Sequence, residues 1–410
     1  MAQGSREAAN EPVVSSGKGS ALEVLRVFIG LGLTSFGGPV AHLGYFREAL
    51  VVRRQWLRES TYADLVALCQ FLPGPASSQV GMAIGLMRAG YAGMLAAWVA
   101  FTLPSALLLV LFAYAAGSLE AVAGTGWIEG LKAAAVAVVA HAVLGMARSL
   151  TPDRERATIA VAAMIGAMLI PGALGQVTVI LAGALLGLAW LRAASTVDGA
   201  PEALAAAVGR RTAVLCLVAF FALLALLPVL AATSGDAVLR LIDGFYRAGA
   251  LVFGGGHVVL PLLQAEFVGP GLVERDAFLA GYGAAQAVPG PLFTFAAYLG
   301  AVMTEPPSGL FGAILALLAI FLPSALLVVG GLPFWDALRG SPTARRALLG
   351  VNAAVVGLLA AALYDPVFTA GVTSPRHMAV AAACFVALAN WQLPAWLVVI
   401  AAGFLGFLVL

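Results

Sequence analysis

The chain has 410 residues with 22 basic and 20 acidic side chains, about 10 % charged, whereas a typical soluble domain has about 25 %. The apolar fraction of 62 % and the mean hydropathy of +0.99 exclude a soluble globular domain, a disordered chain and a secreted disulfide scaffold. The apolar stretches are continuous, which argues against an outer-membrane barrel, whose strands alternate. The composition predicts an all-α polytopic membrane protein.

In chain order, residues 1–21 form a polar tail without the basic and hydrophobic regions of a signal peptide. Residues 22–194 form a first half, and residues 236–410 form a second half. The linker 195–235 between them contains one unpaired apolar run, 212–232, which is long enough to cross a bilayer. Each half has about six apolar segments, which in the first half lie near 24–44, 63–87, 92–117, 130–148, 157–170 and 174–192.

The two halves repeat one another. SFGGPVAHL at 35–43 matches VFGGGHVVL at 252–260, and QFLPGPASS at 70–78 matches QAVPGPLFT at 286–294. FTLPSALLLV at 101–110 likewise matches IFLPSALLVV at 320–329, so the offset stays between 216 and 219 residues. A nearly constant offset over this distance predicts one helical unit present twice.

Arginine placement predicts that the second repeat is inverted. Cytoplasmic loops of membrane proteins are rich in Lys and Arg, and the loop 47–60 of the first half is arginine-rich, while its equivalent at 264–277 is mainly acidic. The reverse holds for the loop near 120 and its equivalent at 333–346. Inverted repeats with broken or re-entrant helices are typical of secondary transporters. The arginines expected on the cytoplasmic side in the first part of the chain are Arg47, Arg53, Arg54, Arg58, Arg88, Arg148, Arg154, Arg156, Arg192, Arg210 and Arg211.

The Gly- and Pro-rich breaks within apolar segments are the candidate site. A helix that restarts after a break exposes unpaired N–H groups and the positive end of its dipole, so converging restarts favour an anion. The breaks contain Pro39, Pro73, Pro75, Pro289 and Pro291. The candidate substrate-binding residues are Ser35, Gly37, Gly38, Gln70, Gly74, Ser77, Ser78, Gln79, Gly254, Gly255, Gly256, His257, Gln286, Gly290 and Thr294.

Each candidate also has a structural interpretation. Glycine pairs allow close helix packing, hydroxyls bond to their own helix, and Gln70 and Gln286 either line a pore or bond to freed backbone groups. His257 is either a proton relay or a packing residue, whereas for His42, His141 and His377 we favour packing. Arg88 and Arg247 are gating candidates, with snorkelling toward the membrane surface as the usual alternative.

Several absences narrow the function. The sequence has no phosphate-binding loop of an ATP-driven pump, no zinc-protease histidine pair and no nucleophile elbow. No acidic residue stands deep inside an apolar run, where a cation carrier usually has one. We therefore expect a transporter rather than an enzyme, with no cofactor, no metal and no nucleic-acid partner.

GLTSFGGPVAHLGYF at 32–46, RRQWL at 53–57, LCQFLPGP at 68–75 and FTLPS at 101–105 resemble the chromate transporter family in its long, two-domain form. FGGGHVVLPLL at 253–263 and GYGAAQAVPGPLFTFAAYLG at 281–300 resemble the motifs of that family's second half. The resemblance implies a multi-pass protein of the bacterial inner membrane that exports chromate and confers chromate resistance.

Other functions stay open at this stage. A carrier of sulfate or another oxyanion would use the same architecture, and so would an anion channel. A membrane enzyme acting on phosphorylated lipid would need a nucleophile–base pair, which we do not find. The expected partners are chromate or sulfate and the lipid bilayer, and a homodimer is one arrangement the resemblance allows.

Overall fold

The computed structural model describes residues 19–170, 172–192 and 208–410. Residues 1–18 of the tail predicted at 1–21 lie outside these ranges, and so do residues 195–207 of the predicted linker. All regular elements of the described residues are helical, which confirms the all-α prediction. Five helical stretches are long and apolar enough to cross a membrane, namely Ala76–Ala116, Gly126–Leu150, Arg210–Ser234, Gly309–Phe334 and Pro342–Gly371.

The first half contains seven helices, with a π-helical stretch Arg47–Arg53 after the second. The first interruption occurs where Gly37 and Gly38 take positive φ angles of 97° and 79°, a conformation that glycine adopts without a Cβ penalty. Pro39 then lies in the first turn of the next helix, where its missing N–H costs no bond. The helices are α1 Ala21–Thr34, α2 Gly38–Phe46, α3 Glu59–Phe71, α4 Ala76–Ala123, α5 Gly126–Leu150, α6 Arg154–Leu169 and α7 Ala173–Trp190.

Helix α4 combines the end of one predicted segment with the whole of the next. The predicted segments 63–87 and 92–117 meet in α4 at a kink, where Ala89 and Gly90 leave helical geometry. The Pro73–Pro75 break instead separates α3 from α4, because α3 ends at Phe71 and α4 begins at Ala76. The chain therefore interrupts its helices at the predicted break.

The second half follows a single helix, α8 Arg210–Ser234, which occupies the unpaired apolar run and ends at Gly235. The two breaks of the second half each lead into a short 3-10 turn, at Gly256–Val258 and at Leu292–Thr294. The helices are α9 Ala237–Ala250, α10 Val259–Leu263, α11 Arg275–Ala287, α12 Phe295–Val302, α13 Gly309–Gly331, α14 Trp335–Arg339, α15 Pro342–Ala362, α16 Thr369–Gly371, α17 Pro375–Ala389 and α18 Ala395–Val409.

Each half packs its terminal helix pair against a long helix of the other half. The pair α6–α7 contacts α15, and the pair α17–α18 contacts α5. Glycines bring the backbones together: a Cβ on Gly187 would lie 2.9 Å from the Gly350 Cα, and one on Gly126 would lie 2.7 Å from the Gly406 carbonyl oxygen. Small residues are the usual means of close helix packing in membranes. The buried core thus runs between the halves, where the breaks also lie.

Candidate functional site

The breaks of the two halves are hydrogen-bonded to each other in a reciprocal pattern. The Gly74 N–H donates to the Val252 carbonyl at 2.7 Å, and the Gly290 N–H donates to the Ser35 carbonyl at 2.9 Å. Gly74 and Gly290 are equivalent in the repeat, and so are Ser35 and Val252. The second break of each half is therefore anchored on the first break of the other.

The two glycines that donate these hydrogen bonds leave no room for a side chain. Gly74 and Gly290 have φ angles of 126° and 104°, which L side chains rarely adopt. A Cβ on Gly74 would lie 2.5 Å from the Ser324 hydroxyl, and a Cβ on Gly290 would lie 2.8 Å from the Ser105 hydroxyl. These serines are the equivalent residues of the repeated LPS motif. The two contacts between the breaks thus use equivalent residues, with the roles of the two halves exchanged.

A cavity of about 550 Å³ adjoins the breaks on one side. The cavity is formed by the α1–α2 break, the second-half breaks with the end of α11, the later part of α5, and the end of α17 with the turn that follows it. Six residues predicted as site or break residues line the cavity, namely Gly37, Gly38, Pro39, His257, Gln286 and Gly290.

Each polar side chain that lines the cavity among the described residues can donate a hydrogen bond. His257 Nδ1 lies 2.8 Å from the Tyr282 hydroxyl, and Gln286 Nε2 has no hydrogen-bond partner among the described residues. Arg148 is the one charged residue of the lining, and no ion pair involving it is formed within the described part of the chain. The lining formed by described residues contains no carboxylate. A cavity with one guanidinium and neutral donors favours an anion.

Sequence reasoning missed three polar residues of this cavity: His141, Arg148 and Gln392. His141 resembled a packing histidine in a long apolar run, and Arg148 a flanking cytoplasmic arginine. Gln392 has a φ of 55°, which is uncommon for a residue other than glycine and clusters at functional sites. The signal in the sequence was weak, because the α17–α18 turn meets α5 only through tertiary packing.

A second group of predicted residues lies buried behind the breaks and does not line this cavity. Ser77 Oγ lies 3.3 Å from His42 Nδ1, and the Gln79 amide donates to the Pro73 carbonyl at 2.7 Å. The Thr294 hydroxyl donates to the Pro291 carbonyl at 2.8 Å, the own-backbone bonding considered above. The hydroxyls of Ser35 and Ser78 are buried and have no hydrogen-bond partner within the described part of the chain. These groups support the breaks from within.

The remaining predicted residues lie elsewhere. Gln70 is exposed on α3, although its repeat equivalent Gln286 lines the cavity. Arg88 pairs with Glu23 at 3.1 Å, and Arg247 pairs with Asp243 and, at 3.2 Å, with Glu266. The glycines at 254 and 255 adjoin Met146 of α5, Gly256 contacts Pro39, and neither Pro75 nor Pro289 lines the cavity.

Another cavity, of about 370 Å³, lies between α4 and α13. Its lining is apolar and includes Met82, Trp98 and Phe321. It offers no charged group to an ion. The cavity at the breaks is therefore the candidate site.

Comparison with known proteins identifies the family of the chain. The sequence profile described as chromate transporter matches the chain twice, at residues 22–188 and 239–407. The chain belongs to the chromate transporter family. The twofold match fits two repeats, and it confirms the resemblance found in the sequence.

Relatives in this family match most of the chain. The chromate transport protein of Pseudomonas aeruginosa is 31 % identical over 401 residues, which cover 93 % of this chain and 91 % of that relative. A probable chromate transport protein of Synechococcus elongatus is 28 % identical over 358 residues, covering 83 % of each. The chromate transport protein of Cupriavidus metallidurans is 26 % identical over 352 residues, covering 83 % of this chain and 81 % of that relative. No solved structure matches the chain.

These relatives are transport proteins, which confirms the prediction of a transporter rather than an enzyme. Together with the five apolar helices, membership of this family makes the protein a multi-pass membrane transporter.

Proposed function

We propose that this transporter moves chromate out of the bacterial cytoplasm across the inner membrane by alternating access, and that the cavity at the breaks binds the oxyanion. The observation that carries the proposal is the cavity lining, which combines Arg148 with neutral donors and has no carboxylate among the described residues. Chromate is the substrate that the names of the relatives give for those proteins. Export confers chromate resistance.

Helix starts add to the anion preference of the cavity. α2 begins at Gly38, beside the cavity, and its first-turn N–H groups have no partner within the helix. The N-terminus of a helix favours a bound anion through these donors and the helix dipole. Gln286 and His257 add side-chain nitrogens from the second half. Donors from both halves would thus surround one oxyanion.

The proposed mechanism also needs the halves to be related by inverted topology. The reciprocal bonds Gly74–Val252 and Gly290–Ser35 support a twofold relation between the halves, because each half contributes the same parts to the other. The opposite charge bias of the equivalent loops supports the inverted orientation. An inverted pair of repeats allows the same contacts to form on either side of the membrane in turn.

Membrane potential is a sufficient driving force for export in this proposal. Moving one charge across 100 mV changes its free energy by about 2.3 kcal/mol. The free energy of a dianion that leaves a negative interior therefore falls by about 4.6 kcal/mol per 100 mV. The lining of described residues has no carboxylate that would bind a coupling cation beside the oxyanion. Export is therefore expected to be electrogenic.

The test is chromate accumulation in everted membrane vesicles that contain the protein and are energised to a potential positive inside. We expect uptake that needs the potential and that falls below one-tenth in Gly290→Val, because the new side chain meets the Ser105 hydroxyl at a strained φ. Gly44→Val is the matched control, since a Cβ there meets nothing within 4 Å.

The outcomes separate the rival functions. Absent uptake in sealed, energised vesicles would contradict chromate export. Equal competition by sulfate would indicate a general oxyanion carrier, and currents without counterflow would indicate a channel.

A further inference from the structure

A buried lysine lies on α5 at the end of the helix opposite Arg148. Lys132 is 4 % exposed, and its Nζ lies 2.8 Å from Glu129 Oε1 and 3.2 Å from Asp276 Oδ1. A buried ammonium group is costly unless carboxylates neutralise it. The contact with Asp276 is made between the halves, because α5 belongs to the first and α11 to the second.

The same cluster extends to a third helix. Glu129 Oε2 lies 3.2 Å from His377 Nε2, and His377 Nδ1 lies 2.6 Å from the Ser374 hydroxyl, which caps α17. We refer to Glu129, Lys132, Asp276, Ser374 and His377 as the Lys132 network. It joins α5 of the first half to α11 and α17 of the second half.

These three helices are also walls of the cavity, at their other ends. α5 contributes His141, α11 contributes Gln286 and α17 contributes Ala389. Lys132 and His141 are nine residues apart on one helix, which corresponds to about 14 Å. The helices are thus parted around the cavity at one end and tied by charges at the other.

The helices pack closely next to the network. A Cβ on Gly283 of α11 would lie 2.7 Å from the Leu131 carbonyl oxygen, and a Cβ on Gly371 would lie 2.6 Å from Val136 Cγ2. Residues 131–139 of α5 are all buried. Close helix contact and buried α5 residues therefore lie between the network and the cavity.

We propose that the Lys132 network is the gate that closes the cavity on the side opposite Arg148 and that it parts when the site turns to that side. The inference rests on the alternating access of the proposed function. Ion pairs suit a reversible gate, because separated charges at the end of a helix regain water. Asp276 is 69 % exposed, so water already reaches the network.

The experiment measures the reactivity of a single cysteine placed between the gate and the cavity. Ala135, which is fully buried one turn beyond Lys132, is replaced by cysteine after Cys69, Cys216 and Cys384 are changed to alanine. A membrane-impermeant methanethiosulfonate is added from the network side of sealed vesicles. We expect labelling at least tenfold faster with Lys132→Met or Asp276→Asn than with the intact network.

The control variant is Arg47→Met, which removes a surface pair of similar length, 2.6 Å from Arg47 Nε to Glu59 Oε1. We expect it to label as slowly as the intact network. Because Asp276 is exposed, Asp276→Asn keeps the fold and decides the question if Lys132→Met does not fold. Unchanged labelling in Asp276→Asn would refute the gate.

Chromate uptake by the same vesicles separates this inference from the function on which it rests. If the intact protein takes up chromate and labelling is unchanged in the network variants, the gate is refuted and chromate export stands. Absent uptake by the intact protein overturns chromate export, while faster labelling of the variants would still support a gate for another substrate.

Discussion

At the scale of single residues, Arg148 is the side chain whose charge we expect to hold the oxyanion. It lines the cavity, and none of the ion pairs within the described ranges includes it, whereas Arg47, Arg88 and Arg247 are all paired. A hydrogen bond to a charged group contributes about 1.5–3 kcal/mol. We therefore expect Arg148→Gln to raise the KM for chromate about tenfold or more in energised vesicles.

Two variants test whether that effect comes from the cavity. Arg148→Lys keeps the charge and is expected to lose less. Arg154→Gln removes a nearby exposed arginine that does not line the cavity, and its KM is expected to match the unmodified protein. An equal KM for Arg148→Gln and Arg154→Gln would show that Arg148 does not bind substrate.

Local sequence signals predicted the breaks and six residues that line the cavity, but not the polar residues that α5 and the α17–α18 turn bring to it. Glycine and proline act on their own backbone, so Gly37, Gly74 and Gly290 could be placed at breaks from the sequence. Gln392 and Arg148 come together only through the packing of α17–α18 on α5, which no local pattern encodes. Gln70 and Gln286 are equivalent in sequence, yet only Gln286 lines the cavity, because the cavity adjoins the end of α11 and not that of α3.

At the scale of helices, the glycine contact between α7 and α15 is expected to determine stability. A Cβ on Gly350 would meet backbone atoms of Gly187 at 2.7 and 2.8 Å, so a larger side chain must push the helices apart. Overpacking a tight contact typically costs about 1–3 kcal/mol of folding free energy, and we expect a cost in that range here. Gly350→Leu should therefore lower the midpoint of thermal unfolding in detergent.

Gly145→Leu on α5 is the matched control, because a Cβ at Gly145 meets nothing within 4 Å. Its unfolding midpoint is expected to stay near that of the unmodified protein. A midpoint for Gly350→Leu as high as the control would mean that this helix contact tolerates separation.

At the scale of the whole molecule, we propose that an inverted relation of the halves makes one bound site accessible from two sides. In that arrangement, loops that are equivalent in the two halves should lie on opposite sides of the membrane. The arginine-rich turn after α2 contains Arg54, and the equivalent turn before α11 contains Glu274; both residues are exposed. Positive charge favours the cytoplasm for the first turn, and the second turn lacks that bias.

We expect Arg54→Cys and Glu274→Cys, each in a protein without other cysteines, to react with an impermeant thiol reagent from opposite sides of sealed vesicles. Arg54→Cys should react from the cytoplasmic face and Glu274→Cys from the outer face. Labelling of both from one face would mean parallel repeats. Parallel repeats could not exchange their contacts across the membrane plane, so the reciprocal bonds at Gly74 and Gly290 would then only stabilise the fold.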